Sequence, residues 1–300
     1  MGTGYMDFRL DRLVTLHVAS PLMRLAAKET LAIPILMYHS IAKEDESGIH
    51  AYYRTSTSAK AFAAQMEYLY LNGYQSCAPA QAANCLQSDT GRTTKRVVIT
   101  FDDGYHDFYQ EAFPVLNRFG LTATVYLPTV YIGESPLSFM GRDCLTWSEV
   151  RELHKYGISF GSHTATHPQL RNLDEHVIEN EIMSSKRAIE EKTGSAVDSF
   201  AYPYAFPQTE TDFKKVLRES LCRAQYRNGV CTVVGRARCS SDPFFMERLP
   251  VNSSDDSALF SAKLMGAYDW LAKPQRLMQS LKSINKAFTS QRNRRNPCSQ

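Results

Sequence analysis

Short apolar runs alternate along this chain with longer segments of helical periodicity, and this alternation restricts its fold more than any other feature. The runs predicted as strands are Ile33–Tyr38, Arg96–Phe101, Thr122–Leu127, Ile158–Phe160, Ser199–Tyr202 and Met246–Val251. The segments predicted as helices are Ala59–Asn72, His106–Phe119, Trp147–Tyr156, Leu173–Thr193 and Gln208–Ser220. Strands separated by helical stretches of roughly 10–20 residues are typical of β-α units around a parallel sheet. The pattern predicts an α/β fold, as either a barrel or an open sheet.

The composition is that of a globular protein with a sizeable core. The chain has 300 residues, of which 43% are hydrophobic and 22% charged, which excludes a disordered or fibrous chain. Its formal net charge of +3 leaves no broad basic field, so no nucleic-acid partner is expected. We find no stretch of about 18 uncharged apolar residues, and therefore expect no integral membrane segment.

The two ends of the chain differ from its centre. Residues 13–23 resemble a signal-peptide core, but Asp7 and Asp11 precede them and no small-residue cleavage site follows. We therefore expect residues 1–32 to form a helical, amphipathic N-terminal arm. The other predicted divisions are a catalytic domain over 33–255, a helical extension over 256–290 and a disordered tail over 291–300.

Cysteine usage bears on the compartment. The seven cysteines are scattered and contain no C-x-x-C pair, which argues against a zinc ribbon or a disulfide framework. An odd, scattered set suits a reducing environment. Together with the absence of a recognisable signal peptide, this predicts a cytoplasmic protein.

Titratable or backbone-exposing groups follow four of the predicted strands. Asp102 and Asp103 come directly after VVITF, and His163 follows GISFGS. His39 follows IPILMY, and Tyr204 lies at the end of SFAYPY. In a parallel barrel or sheet the carboxyl ends of the strands share one face, and that face holds the active site. The sequence therefore predicts that these groups converge.

A carboxylate and two imidazoles are typical of a hydrolytic metal site with open coordination positions. Asp103, His163 and His167 could supply this set, while Asp102 would stay free to accept a proton from the metal-activated water. Each motif alone has an ordinary explanation, because Asp-Asp-Gly is often a turn and paired histidines occur by chance. Pro168 keeps His167 out of helical geometry, which places the pair on a loop.

Two other patterns have simpler interpretations. Gly157–Gly161 matches the G-x-S-x-G nucleophile motif, but Ser159 lies inside a predicted strand. No histidine follows His176, which together with the position of Ser159 argues against a serine hydrolase. The charged stretch Glu181–Lys192 is most simply a solvated helix face.

Three segments together resemble the polysaccharide deacetylase family, carbohydrate esterase family 4. Thr100–Gly104 (TFDDG) is similar to its first motif, and His163–His167 (HTATH) to its second, H-[ST]-x-x-H. Phe200–Tyr204 (FAYPY) resembles the third, which is usually R-x-P-Y-G-like. The resemblance extends over residues 33–252, and the first two motifs are specific in combination.

The resemblance implies a distorted (β/α) barrel that hydrolyses the acetamide of N-acetylated sugars or polysaccharides. Asp102 would be the general base, and Asp103, His163 and His167 would bind one divalent metal ion, with zinc expected. The metal and the Tyr204 backbone N–H would stabilise the oxyanion. The expected partner is thus a carbohydrate substrate, and the sequence names no protein partner.

Two departures from the family pattern raise further hypotheses. The usual late L-x-H motif with the general-acid histidine is missing, but Met37–Ser40 resembles the early Y-H element of the poly-N-acetylglucosamine deacetylase branch, where motif order is permuted. His39 would then protonate the leaving amine, unless it is a core histidine at a strand end. Ala201 stands where many members have the arginine that orients the base. Arg248 could replace that arginine, or could form a surface ion pair.

Four alternatives remain open from the sequence. The same metal site could serve a deformylase, an O-deacetylase or another amide hydrolase. From a different class, the chain could be a glycan-binding barrel without catalytic activity. The residues that choose the sugar and the acyl group lie in loops that the sequence does not interpret.

Overall fold

The computed structural model describes residues 9–25, 31–42, 50–88 and 95–281, and these contain a closed barrel of seven parallel strands. The strands of the sheet are β1 (Ile35–Tyr38), β2 (Gln75–Ser76), β3 (Arg96–Phe101), β4 (Thr124–Leu127), β5 (Ser159–Ser162), β6 (Ser199–Ala201), β7 (Asn228–Val234) and β8 (Met246–Pro250). The ring runs β1-β3-β4-β5-β6-β7-β8 and closes because β1 pairs with both β3 and β8. β2 pairs with the beginning of β3 and is not part of the ring. The predicted α/β class is confirmed, and the fold is a barrel rather than an open sheet.

Helices surround the barrel. They are α1 (10–25, made of Leu10–Val14, the π-helical Thr15–Ala19 and Ser20–Leu25), α2 (Ala59–Leu71), α3 (Pro79–Ser88), α4 (Phe108–Ala112 and Phe113–Arg118), α5 (Trp147–Lys155), α6 (Glu175–Thr193), α7 (Thr211–Arg223), α8 (Ser257–Met265) and α9 (272–281). Among the described residues, no helix combines the length and the hydropathy that crossing a bilayer requires.

Besides the two-residue strand β2, two elements were not predicted. Strand β7 begins with Asn228-Gly229, a dipeptide that usually marks a turn and therefore conceals the strand that follows. Helix α3 buries mostly small side chains, Ala82 and Ala83 with Leu86, and these do not form the stripe of large apolar residues by which a helix is recognised in a sequence. Both elements are defined by what they pack against rather than by their own sequence pattern.

Period-two alternation along β3 decides which side chains enter the barrel. Val97, Ile99 and Phe101 belong to the large hydrophobic core formed with the outer helices. Val98 belongs instead to a second cluster inside the barrel. Continued past the last residue of the strand, this alternation directs Asp102 toward the barrel axis.

The barrel is filled at the amino-terminal end of its strands and polar at the other. Its inner cluster joins α3 to strand residues, which are Ile33, Ile35, Val98, Tyr126, Ala201, Val230 and Met246. Apolar filling excludes water there, so the groups that follow the carboxyl ends of the strands form the accessible polar face.

The predicted divisions of the chain stay predictions. Helix α1 lies within the proposed N-terminal arm, and α8 and α9 lie within the proposed extension. The proposed tail, 291–300, and parts of the arm fall outside the described residues. All six cysteines in the described part of the chain are free. The cytoplasmic location likewise stays a prediction.

Candidate active site

Residues that follow two different strands meet at the carboxyl end of the barrel. Asp103 follows β3, and His163 follows β5 with His167 four residues later. The Nε2 atoms of His163 and His167 lie 3.6 and 3.3 Å from Asp103 Oδ1. One ligand atom from each residue lies within 4.8 Å of the other two. The three predicted metal ligands are therefore brought together.

The donor set fits a divalent cation. Asp103 Oδ1 is buried and has no hydrogen-bond partner among the described residues, although two imidazole nitrogens lie close to it. A buried carboxylate oxygen without a donor is costly unless a cation compensates it. Two imidazoles and a carboxylate are also a ligand combination suited to zinc.

Backbone strain is concentrated at this site. Of the six non-glycine residues with positive φ in the described part of the chain, four belong to the site, and they are Asp103 (71°), Thr164 (66°), His167 (58°) and Tyr204 (60°). Such conformations are unfavourable for these residue types and persist only where the surroundings impose them. The clustering indicates that the surrounding structure holds the candidate metal ligands in their orientation against the local preference of the backbone.

His163 is oriented by the neighbouring strand. Its Nδ1 lies 2.8 Å from the carbonyl oxygen of Ala201, at the end of β6. Because a carbonyl only accepts, Nδ1 carries the proton and Nε2 presents its lone pair toward Asp103. Burial lowers the pKa of His163 to about 4, despite the nearby charges of Asp102 and Asp103. The imidazole is therefore neutral near pH 7, as a metal ligand must be.

Asp102 forms a buried ion pair with Arg248 of β8. The Arg248 nitrogens Nη1 and Nη2 each lie 2.7 Å from a different carboxylate oxygen of Asp102. The guanidinium also donates to the Cys231 carbonyl at 3.0 Å and to Thr100 Oγ1 at 3.2 Å. The sequence allowed Arg248 either a surface ion pair or a place beside Asp102. The side chain is completely buried beside Asp102, so it does not form a surface ion pair.

This pairing determines the protonation state of Asp102. Burial alone raises the pKa of the carboxyl, but the charge and hydrogen bonds of Arg248 outweigh burial and hold the pKa far below its usual range. Asp102 is thus an ionised carboxylate fixed in one orientation. It directly precedes Asp103 in the sequence, so this fixed carboxylate lies beside the candidate metal ligands.

His39 and Tyr204 complete the predicted set. His39 Nε2 lies 3.9 Å from Asp102 Oδ2, too far for a hydrogen bond, and the His39 side chain is 23% exposed. This partial exposure does not fit the alternative that His39 is a buried core histidine with its hydrogen bonds formed inside the protein. The Tyr204 ring packs edge-on against His167 at 4.7 Å, and the Tyr204 N–H has no acceptor among the described residues.

Glu181 is a site residue that the sequence interpretation missed. The charged stretch Glu181–Lys192 was expected to be a solvated helix face, and for its first residue this is wrong. Glu181 reaches from α6 to the loop between the two histidines, where Oε2 accepts from the N–H groups of Ala165 (2.9 Å) and Thr166 (2.8 Å). Its Oε1 also accepts from Thr166 Oγ1 at 2.8 Å. The helix begins eight residues after His167, and only the folding of the loop brings these donors within reach of it. The sequence alone therefore gave no signal for this contact.

Comparison with known proteins gives this geometry a family. The polysaccharide deacetylase family profile matches residues 89–224. YxkH of Bacillus subtilis (strain 168), named for the polysaccharide deacetylases, is 31% identical over 230 residues, which cover 77% of this chain and 75% of YxkH. The poly-β-1,6-N-acetyl-D-glucosamine N-deacetylase of Escherichia coli (strain K12) is 31% identical over 139 residues, which cover 43% of this chain but 20% of that protein.

A solved structure matches the fold. The Streptococcus pyogenes deacetylase PplD superposes with a TM-score of 0.68 at 24% identity, over 79% of this chain and 99% of that one. The resemblance inferred from three motifs therefore extends to the entire barrel. Similarity over about three quarters of both this chain and YxkH shows that the protein belongs to the polysaccharide deacetylase family and is a carbohydrate deacetylase.

Proposed function

We propose that this protein removes the acetyl group from the acetamide of N-acetylated sugar units in a polysaccharide. The observation that carries the proposal is the position of an ionised, arginine-held carboxylate, Asp102, next to the cluster of Asp103, His163 and His167. Amide hydrolysis needs an activated water, a base that accepts its proton and an acid that protonates the leaving amine. The site has a candidate for each of these tasks.

The cluster of Asp103, His163 and His167 would hold the metal ion. A divalent ion bound there supplies Lewis-acid activation of the attacking water. Zinc is the ion that we propose, because imidazole nitrogens supply two of the three ligands. The neutral state of His163 and the ionised state of Asp103 suit this role, since the contacts of Asp103 with the histidines lower its pKa against the effect of burial.

The remaining residues would handle protons and the developing charge. Asp102 accepts the proton of the attacking water, and Arg248 keeps the carboxylate ionised and correctly oriented. His39 donates a proton to the nitrogen of the leaving amine. The Tyr204 N–H donates a hydrogen bond to the oxyanion of the tetrahedral intermediate.

The substrate class is proposed from two likenesses. The Escherichia coli relative is named for poly-β-1,6-N-acetyl-D-glucosamine, and Tyr38-His39 resembles the early element of that branch. We therefore propose a polymer of N-acetylhexosamine as the substrate. The deformylase and O-deacetylase alternatives use the same groups. Release of formate would identify a deformylase, and release of acetate without a new amine would identify an O-deacetylase. Membership of an enzyme family speaks against the non-catalytic glycan-binding barrel.

The first test measures metal and activity in the same preparations. Protein purified without chelator should contain near one divalent ion per chain and release acetate and free amine from N-acetylglucosamine oligomers. Asp103→Ala should lose both the metal and turnover, whereas Asp102→Asn should keep the metal and lose turnover. Asp212→Asn, which changes an exposed carboxylate in the first turn of α7, is the control. Undiminished turnover in Asp102→Asn would refute the role of this residue as the base.

A further inference from the structure

Helix α1 presents its polar side chains to the protein and its apolar side chains to solvent. Asp11 accepts a hydrogen bond from the Tyr268 hydroxyl at 2.6 Å, and Thr15 Oγ1 accepts from Trp270 Nε1 at 3.1 Å. Ser20, further along the same face, is also buried. This is the reverse of an ordinary surface helix, whose apolar stripe faces the core.

The outward face of α1 is mostly apolar. Its exposed large apolar side chains are Leu10 (60%), Leu13 (38%), Val18 (51%), Leu22 (60%), Met23 (38%) and Leu25 (81%). His17, Pro21 and Arg24 are also exposed on this helix. The π-helical segment Thr15–Ala19 slows the rotation of side chains about the helix axis, which keeps the residues before and after it on one side. Contiguous exposed apolar residues of this kind mark a surface that binds something in the functional state.

Helix α9 has the same reversed orientation. Gln275 bonds inward to the backbone at Val234 N and Thr232 O, both at 2.9 Å. Gln279, one turn later, bonds inward to the backbone of residues 206 and 208. The exposed large apolar side chains of α9 are Leu277 (61%), Met278 (56%) and Leu281 (54%), and Lys273 and Arg276 are exposed on the same helix. Two helices that flank the barrel therefore expose leucine and methionine while burying amides and hydroxyls.

A basic groove lies beside the exposed face of α1. It has a volume of about 1480 Å³ and is bordered by Leu22 and Met23 of α1. Five cationic side chains line it against a single carboxylate, Asp269, and they are Lys95, Arg96, Arg236, Arg238 and Lys273. Asp269 pairs with Arg236 and Arg238, which leaves the groove with a net positive charge. Residues 282–300 add five basic residues and no acidic one to the sequence after α9.

We propose that the exposed faces of α1 and α9, with the adjacent basic groove, form a docking surface for an anionic phospholipid bilayer. Apolar side chains enter the interface between headgroups and acyl chains, while the cations attract the phosphates. The two contributions together are what stable peripheral attachment requires. A soluble partner with an apolar groove would not need the excess of positive charge.

The position of this surface is compatible with catalysis on a polymer. Lys95 and Arg96 lie where β3 begins, and the catalytic Asp102 follows the last residue of the same strand. The groove therefore opens near the amino-terminal end of β3, and the candidate active site is at the carboxyl end. The groove and the candidate active site are thus at different ends of the barrel, so lipid bound at the groove would not cover the active site.

Vesicle sedimentation with the full chain tests the proposal. The protein should sediment with vesicles of phosphatidylcholine mixed equally with phosphatidylglycerol, and much less with phosphatidylcholine alone. Added salt should weaken binding, because it screens the charges. Combined replacement of Val18, Leu22 and Leu25 by serine should abolish sedimentation. Lys95→Ala and Lys273→Ala should each lower the partition coefficient about fivefold.

The control is Val130→Ser, which changes a comparably exposed side chain (55%) after β4. It should sediment like the wild type. All of these side chains are at the surface, so circular dichroism and turnover on soluble oligomers should be unchanged, which separates this test from that of the catalytic proposal. Failure to bind either vesicle would overturn the proposal. So would a wild-type dimer that the triple serine variant converts to monomer, because a second copy would then cover the face.

Discussion

At the scale of single residues, the pair of Asp102 and Arg248 combines a proposed catalytic role with structural importance. Both side chains are removed from water, so each would be strongly destabilising without the other. The planar guanidinium matches both carboxylate oxygens, which a lysine cannot do. Because the pKa of Asp102 is lowered on folding, the stability that its ionised form contributes is present above about pH 4 and is lost as the pH falls toward that lowered pKa.

Replacing Arg248 should change the pH dependence of the enzyme. In Arg248→Met, Asp102 stays buried but loses the guanidinium that compensates its charge, so the pKa of Asp102 should rise above its usual range. The acid limb of kcat/KM should therefore move to higher pH. We also expect the free energy of unfolding to fall by about 3–5 kcal/mol, measured by denaturant titration.

The control for this prediction is Arg218→Met, which removes an arginine paired with Asp242 on the exterior. If Arg248→Met does not fold, Arg248→Lys keeps a charge but loses the double contact, and should give a smaller shift in the same direction. A variant at Arg248 with an unchanged acid limb would show that another group keeps Asp102 ionised.

His39 should control the opposite limb of the profile. If His39 donates the proton to the leaving amine, the rate must fall at high pH, where the imidazole is neutral. In His39→Ala turnover should drop by about 10²–10⁴-fold, and the alkaline limb should disappear. His50→Ala, a histidine that lies before the short helix Ala51–Tyr53, is the control. A near-normal profile in His39→Ala would assign the acid to another residue.

At the scale of elements, the loop between His163 and His167 depends on helix α6. Thr164 and His167 both have positive φ, and the loop contains no regular backbone pairing of its own. Glu181 compensates by accepting two backbone N–H groups and a hydroxyl from this loop. A carboxylate on a long, well-packed helix thus supports the loop that spaces two candidate metal ligands, together with the N–H groups of Thr129 and Val130, which donate to loop carbonyls.

Glu181→Gln should therefore weaken metal binding without unfolding the protein. An amide oxygen accepts more weakly than a carboxylate, and loss of comparable supporting contacts at metal sites costs about 10–100-fold in affinity. Competition with a chromophoric chelator would measure this change. Glu191→Gln, an exposed position on the same helix, should leave metal affinity unchanged. Equal affinities in the two variants would limit Glu181 to a structural role.

At the scale of the whole molecule, closure of the barrel decides which side chains can fit inside it. Gly161 of β5 faces the ring of Tyr126, and a Cβ there would lie 2.5 Å from two ring atoms and 2.8 Å from the Ser199 carbonyl oxygen. The Tyr126 hydroxyl is bonded to Ser199 Oγ at 2.7 Å, and its ring lies below the Arg248 guanidinium. A glycine is thus needed where the aromatic ring crosses the interior.

Gly161→Ala should destabilise the barrel through overpacking. Because backbone and ring atoms are both too close to the added methyl group, we expect a loss of about 1–3 kcal/mol in the free energy of unfolding. Urea titration should show an earlier midpoint with an unchanged m-value. An unchanged midpoint would mean that the Tyr126 ring can move aside without cost.

The sequence by itself determined the order of strands and helices, because periods of 2 and 3.6 residues are local properties of the chain. It also placed Asp102, Asp103, His163 and His39 at strand ends, and parallel strands bring such ends to one face. The turn-like start of β7 and the small residues of α3 left those two elements unpredicted. Their boundaries depend on the barrel against which they pack.

Only the tertiary structure decided which distant side chains meet. Arg248 lies 146 residues from Asp102, and the sequence allowed it either a surface ion pair or a place beside the base. Glu181 looked like part of a solvated helix face until the fold of the loop brought two N–H groups to it. The outward apolar face of α1 is likewise defined by what its polar side binds. Local periodicity specifies elements, whereas the closure and stagger of the barrel specify contacts between them.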